Sequence, residues 1–238
     1  MQYLGGKGKI AKPIIELIES LRGSRDFLEP FCGGLSITGG VSGARRASDI
    51  CQPLITLYQA IQQGWEPPDT LSEVEYLELK EKKDPQDPLT GFAGFGCSFS
   101  GIYFGGYARS GARNYALNAK RSLLKKLDKC QDVVFSCQSY ASWNPTNMMI
   151  YCDPPYANIT TKPQHAYRGI EAWDADKFWK TVTDWSHPSR NNVVLISEYS
   201  APNGFQPVLV IPTKTSIRTG IRTEGKRQPR AEKVFQRK

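Results

Sequence analysis

Five short runs of strand length, each set apart from the next by amphipathic or loop sequence, constrain this chain more than any other feature. Phe27–Leu28, Arg45–Ser48, Val133–Ser136, Met148–Cys152 and Val193–Ser197 are the runs. Helical stripes lie between and before them. Ile10, Ile14, Leu17, Ile18 and Leu21 share one face of a first helix, and Leu54, Leu57, Tyr58 and Ile61 share one face of a second over Pro53–Gln63. Further helices are predicted over Leu71–Lys82, Ala116–Leu127 and Phe178–Trp185. The alternation predicts an α/β fold built on a mostly parallel sheet covered on both faces. Val208–Ile217 and Glu232–Gln236 are expected to add a terminal antiparallel hairpin. Ligands of such sheets bind in the crevice outside the carboxyl ends of the strands.

One stretch fits no period. KDPQDPLTGFAGFGCSFSGIYFGGYARSGARN is rich in glycine, aromatics and arginine, and predicts an irregular insertion lying on the core domain. At 238 residues the chain accommodates one α/β domain and such an insertion.

Charge narrows the partners. The formal net charge is +8, and residues 214–238 hold nine basic against two acidic side chains, or +7 of it. A concentrated basic segment suits a polyanion, because each neutralised phosphate releases counterions, and it equally suits a solvated tail. No apolar run approaches the roughly 20 residues of a membrane helix, and MQYLGGKGKI lacks a signal-peptide core, so a cytoplasmic location is expected. The six cysteines form no C-x-x-C pair and the two histidines lie far from them, so no metal site is predicted.

Two loops carry chemistry. Asp153-Pro154-Pro155-Tyr156 follows the Met148–Cys152 run. An exocyclic amine of a base is a poor nucleophile, because its lone pair is delocalised into the ring. A carboxylate and a carbonyl, each accepting one amino hydrogen, favour a pyramidal nitrogen with an available lone pair. Asp153 and the Pro154 carbonyl can be those acceptors, the prolines stiffening the turn. Tyr156 offers a face to a base that has left the helix. A rigid loop without chemistry is the plainer alternative for this motif taken alone.

Phe27-Leu28-Glu29-Pro30-Phe31-Cys32-Gly33-Gly34 is the second. Its glycines permit close backbone approach to a ligand, and the acid at the strand end can take an ammonium group. It is not a G-x-G-x-x-G fingerprint. Asp49 ends the next strand about twenty residues later, where a ribose-binding carboxylate belongs. Tyr3-Leu4-Gly5-Gly6-Lys7 lacks phosphate-loop spacing and a preceding strand, and is read instead as a loop with Tyr3 and Lys7 lining the crevice.

In that order, YLGGK, EPFCGGLSI, Asp49-Ile50, an insertion and DPPY resemble the Dam-like, alpha-group DNA adenine-specific methyltransferase family over nearly the whole chain. The resemblance implies a Rossmann-like methyltransferase fold and S-adenosylmethionine as cofactor. It also implies methyl transfer to the N6 amino group of adenine flipped out of duplex DNA, in the cytoplasm of a bacterial or phage-infected cell and with no obligatory protein partner. Residues 1–70 and 115–238 would form the catalytic domain and 71–114 the target-recognition insertion. Tyr3, Lys7, Glu29, Pro30, Phe31, Cys32, Gly33, Asp49, Ile50, Ser136, Cys137 and Asp153 would contact the cofactor, and Asp153, Pro154, Pro155 and Tyr156 the target base. Tyr103, Phe104, Arg109, Arg113, Arg222, Lys226, Arg227 and Arg230 would contact DNA, with Arg109 reading guanine or gripping a phosphate. The insertion departs from the family by its short GIYFGGYAR stretch, which predicts relaxed sequence choice. Methylation of cytosine in DNA or adenine in RNA, and DNA binding without catalysis, are the rival functions. The intact loops speak against the last.

Overall fold

The computed structural model describes residues 1–155, 173–213 and 230–238. Its elements run α1 (Ala11–Arg22), β1 (Asp26–Glu29), β2 (Arg45–Asp49), α2 (Gln52–Gln62), α3 (Glu73–Lys82), α4 (Pro88–Gly91), α5 (Tyr115–Leu127), β3 (Val134–Cys137), β4 (Met148–Cys152), α6 (Ala175–Trp185), β5 (Val193–Glu198), β6 (Phe205–Thr213) and β7 (Arg230–Arg237).

Seven strands form one sheet in the order β3-β2-β1-β4-β5-β7-β6. The first five are parallel, and β7 runs antiparallel between β5 and β6. This is a Rossmann-like α/β sheet with an antiparallel C-terminal pair. The chain steps outward from β1 through β2 to β3, then returns to place β4 on the other side of β1. The switch point therefore lies between β1 and β4, and the crevice of such a sheet opens above it.

Side-chain alternation explains why both faces are covered. Phe27, Met149, Tyr151 and Leu195 point to the face closed by Ile14 and Ile18 of α1. Leu28, Ile150, Cys152, Val194 and Ile196 point to the other, against Phe178, Val182 and Trp185 of α6. Ile14 and Ile18, one helical turn apart, are fully buried, as the sequence stripe requires.

The insertion lies on the core domain and packs into it: Phe92, Ala93, Phe95, Cys97 and Phe104 share one buried cluster with Leu54, Leu57 and Tyr58 of α2 and Leu123 of α5. Its helix starts after Leu71, at Ser72, whose hydroxyl accepts from the Glu75 N–H while Glu75 reaches back to the Ser72 N–H. α4 runs on into a five-residue π-helical turn, Phe92–Gly96. The segment lacks a period because ring contacts rather than one helical face bury it. Its glycines are sites of contact: a Cβ at Gly91 would strike the Pro53 carbonyl, and one at Gly94 the Tyr103 ring. Among the described residues no helix is long and apolar enough to cross a membrane.

Candidate active site

Three loops meet at the carboxyl ends of β1, β2 and β4. The loop after β1 is held from below: Cys32 N–H donates to the Ser48 carbonyl at 2.9 Å, and the Tyr58 hydroxyl donates to the Gly33 carbonyl at 2.6 Å. Gly33 takes a φ of +40°, in the left-handed region. The Tyr3 ring lies directly on this turn, so that a Cβ at Gly33 or Gly34 would come within 2.8 or 2.7 Å of it. That close approach, not flexibility, is what the paired glycines provide. Phe95 stacks on the Tyr3 ring at 5.4 Å. The Tyr3 hydroxyl is buried and has no hydrogen-bond partner among the described residues.

Three carboxylates mark the crevice. Glu29 is buried, and its Oε2 accepts from the Thr38 N–H at 3.0 Å and from the Thr38 hydroxyl. Burial pushes its pKa up to about 8 against the opposing Thr38 bonds, with the nearby negative charges of Asp153 and Asp49 adding to the rise. Asp49 is also buried and ties two turns together, accepting from Gly33 N–H at 3.1 Å and Cys51 N–H at 3.0 Å. Burial raises its pKa, and the backbone donors Cys51, Gly33 and Ile50 restrain the rise. Asp153 differs: its side chain keeps 19% of its exposure, and Oδ1 sits 2.7 Å from the Lys7 ammonium.

Lys7 stands at the same crevice, where its buried ammonium lies between Asp153 and Glu232, the latter at 3.5 Å. A buried ammonium without carboxylate partners would be too costly to hold. Burial alone would lower its pKa, but the two acids outweigh this and hold it above the ordinary lysine value.

The remaining cofactor candidates fall around the same crevice. Ile50 is 51% exposed at the end of β2. Ser136 and Cys137 end β3 beside it, tied in by the Gln138 N–H to the Asp49 carbonyl at 3.2 Å. Phe31 stacks on Tyr140 at 5.2 Å and meets Trp173 and Phe178 edge-on. Pro30 is buried, and the Cys32 thiol points into the core, so Cys32 meets the crevice through its backbone. Pro154 is buried and Pro155 exposed, while Tyr156 lies outside the described residues.

Among the described residues the DNA candidates Tyr103, Phe104, Arg109 and Arg113 fall in different surroundings. Phe104 is buried against Tyr76, and Tyr103 packs on Phe95 and Phe104 at 4.9 and 4.8 Å. Both rings pack into the insertion's core, Phe104 buried and Tyr103 partly so. Arg109 is exposed but ion-paired to Glu73. Arg113 lies over the Tyr115 ring at 5.0 Å. Arg222, Lys226 and Arg227 lie outside the described residues, and Arg230 begins β7. Thr38, Tyr58 and Glu232 escaped the sequence reading. Only Glu232 left a signal there, as an acid inside the basic C-terminal stretch. Among the described residues no group of three or more potential ligands is placed to hold a metal ion.

A family model matches part of the chain. Residues 3–89 match the model of the D12 class N6 adenine-specific DNA methyltransferases. The match takes in the Tyr3 loop, the glycine turn, Asp49 and α3, and it stops short of Asp153, whose place in this methyltransferase rests on the geometry above. Two solved structures resemble this chain at low identity. Magnesium protoporphyrin IX methyltransferase (ChlM) from Synechocystis PCC 6803, with bound SAM, is 12% identical with a TM-score of 0.39, over 98% of this chain and 80% of that one. SMU.472, complexed with SAH, is 11% identical with a TM-score of 0.38, over 98% of this chain and 52% of that one. Neither similarity assigns a role to any residue here.

Proposed function

We propose that this chain moves a methyl group from S-adenosylmethionine to the N6 amino group of an adenine flipped out of duplex DNA. The observation that carries the reading is the contrast among the three acids at the crevice. Glu29 and Asp49 are buried against backbone donors, whereas Asp153 keeps a partly exposed side chain at the switch point.

The residues present fit the cofactor. The buried Tyr3 hydroxyl lacks a partner among the described residues, and Glu29, raised to a pKa of about 8, gains a counter-charge from an arriving ammonium. Asp49 stands where ribose hydroxyls approach, and Ile50 offers an apolar surface beside it. When bound, S-adenosylmethionine supplies an electrophilic methyl on sulfur. The chain's part is to prepare the acceptor. Asp153 accepts one amino hydrogen and the Pro154 carbonyl the other, freeing the nitrogen lone pair. As the methyl's bond to nitrogen formed and its bond to sulfur broke, leaving the electron pair on a neutral thioether, positive charge would grow on that nitrogen beside the Asp153 carboxylate, which would stabilise it and take the departing proton. Residues 214–238, with net charge +7, supply phosphate contacts without sequence choice. With Tyr103 and Phe104 committed to packing, Arg109 is the main base reader of the insertion, so a short recognition context is expected.

The test is methylation of unmodified duplex with labelled cofactor, followed by digestion to nucleosides. Label in N6-methyladenine supports the reading, and label in N4-methylcytosine or in RNA alone refutes it. Asp153→Ala should abolish transfer while cofactor affinity, measured by calorimetry, stays within about threefold. A variant that kept substantial turnover would overturn the mechanism.

A further inference from the structure

β7 enters the sheet antiparallel, so its first residues, not its last, lie at the carboxyl edge of β4 and β5. Lys233 pairs with Glu198, the final residue of β5, and Glu232 comes just before it. Glu232 is 6% exposed, and its Oε1 is 3.5 Å from the Lys7 ammonium, which touches Asp153 at 2.7 Å. One buried cation from the N-terminal loop thus bridges an acid after β4 and an acid from the last strand. We propose that Glu232 is a positioning residue for methyl transfer, holding Lys7 so that its charge is shared between two carboxylates and not spent on Asp153 alone.

The chemistry gives the sharing a purpose. Asp153 has to accept a hydrogen from the target amine and offset the positive charge that develops there, a role resting on the function proposed above. An ammonium pairing only with Asp153 would fix its orientation and also drain its strength as an acceptor. The second carboxylate draws off part of that field while Lys7 still fixes Oδ1. A buried acid is retained at a stability cost unless paired, and Glu232, set between half-buried Ala231 and Lys233 along the strand, has the Lys7 ammonium as a partner. Glu29 on β1 and Tyr151 and Cys152 on β4 lie within the electrostatic reach of Asp153, and Tyr151 also within that of Glu232.

Three variants of the full chain test it: Glu232→Gln, Glu232→Asp and Lys7→Gln, with the Lys7→Gln/Glu232→Gln double. Glu232→Gln keeps shape and loses charge; kcat should fall about ten- to thirtyfold, as for loss of a charge-assisted contact, with KM for DNA and Kd for S-adenosylmethionine within about threefold of wild type. Glu232→Asp keeps the charge at the cost of a methylene, and should lie nearer to wild type in kcat than Gln. A purely structural role predicts the reverse order and a fall in thermal midpoint that tracks the loss. Because Glu232 acts through Lys7, adding Glu232→Gln to Lys7→Gln should change kcat by less than about twofold. Unchanged kcat in Glu232→Gln, multiplicative losses in the double, or Gln outperforming Asp would each overturn the proposal. If wild-type protein leaves adenine in duplex DNA unmethylated, the proposed function falls and this inference with it; if wild type methylates and the variants misorder, only this inference falls.

Discussion

Replacing Glu29 by glutamine should make the protein's stability less sensitive to pH between 6 and 8. The carboxylate is buried and receives the Thr38 N–H and hydroxyl on one oxygen. A glutamine carbonyl can accept the same two donors, so the substitution removes the ionisation and leaves the contacts. Burial raises the folded pKa to about 8 from an ordinary 4.5. A raised value means that the folded state holds the proton more tightly than the unfolded one. The stabilisation is complete below 4.5 and is lost as pH rises through about 8. Across the two units from pH 6 to pH 8 nearly one proton is at stake, so the wild type should lose roughly 2 kcal/mol relative to Glu29→Gln.

For a chain of this length that difference is about 4–8 °C in thermal midpoint. Differential scanning calorimetry of both proteins at half-unit pH steps measures it, and every other titrating group cancels in the comparison. Parallel midpoint curves would mean that Glu29 ionises in the fold as it does in water, and would refute its seclusion. The same logic reaches the cofactor. At pH 8 an ammonium supplies the counter-charge that Glu29 lacks, so saturating S-adenosylmethionine should raise the wild-type midpoint more than that of Glu29→Gln.

Three further outcomes follow from the geometry. Asp49→Asn leaves one oxygen to serve both Gly33 and Cys51, and should weaken S-adenosylmethionine binding about ten- to a hundredfold by calorimetry; an unchanged Kd would remove Asp49 from the site. Gly91→Ala drives a Cβ into the Pro53 carbonyl and should lower stability by roughly 1–3 kcal/mol in urea unfolding, whereas an unaltered midpoint would contradict the close approach of α4 to α2. Glu73→Gln releases the Arg109 guanidinium and should tighten duplex binding about two- to fivefold by fluorescence anisotropy, an effect that should vanish in an Arg109→Ala background.

What the sequence made legible is what short-range pattern encodes. The stripe Ile14–Ile18, the apolar run Met148–Cys152 and the glycine pair Gly33-Gly34 are local, and each appears where its pattern or turn chemistry placed it. The insertion was opaque because Phe92, Phe95 and Phe104 are buried by rings from α2, α3 and the Tyr3 loop, contacts that no single periodicity records. The partner of Lys7 was opaque for another reason. Glu232 meets it only because β7 inserts antiparallel between β5 and β6, a pairing decided by the register of strands far apart in sequence. In sequence Glu232 is one acid in a basic tail.

That contrast between tail and interior extends to the whole molecule. The chain is basic, at +8, yet the charged groups that the fold turns inward at the crevice are mostly acids: Glu29, Asp49, Glu198 and Glu232 are buried, and Asp153 is partly so. Lys7 is the cation buried among them. Two charged ligands of opposite sign can be served by such a division. Basic side chains at the surface meet phosphates in high dielectric, where each contact is weak and screened by salt, so affinity accumulates by number. Acids inside act at low dielectric, where, on the function proposed, a few would suffice for a sulfonium, an ammonium and a transient cation on the target nitrogen. Keeping so many acids under cover costs stability, and the fold limits that cost in three ways: Glu29 is held largely protonated near neutral pH, Asp49 is tied to backbone donors, and Asp153 and Glu232 share one lysine. The three acids at the carboxyl ends of β1, β2 and β4 therefore differ in environment before any ligand arrives, and among the described residues Asp153 is the one of the three that pairs with a buried lysine and keeps part of its side chain exposed.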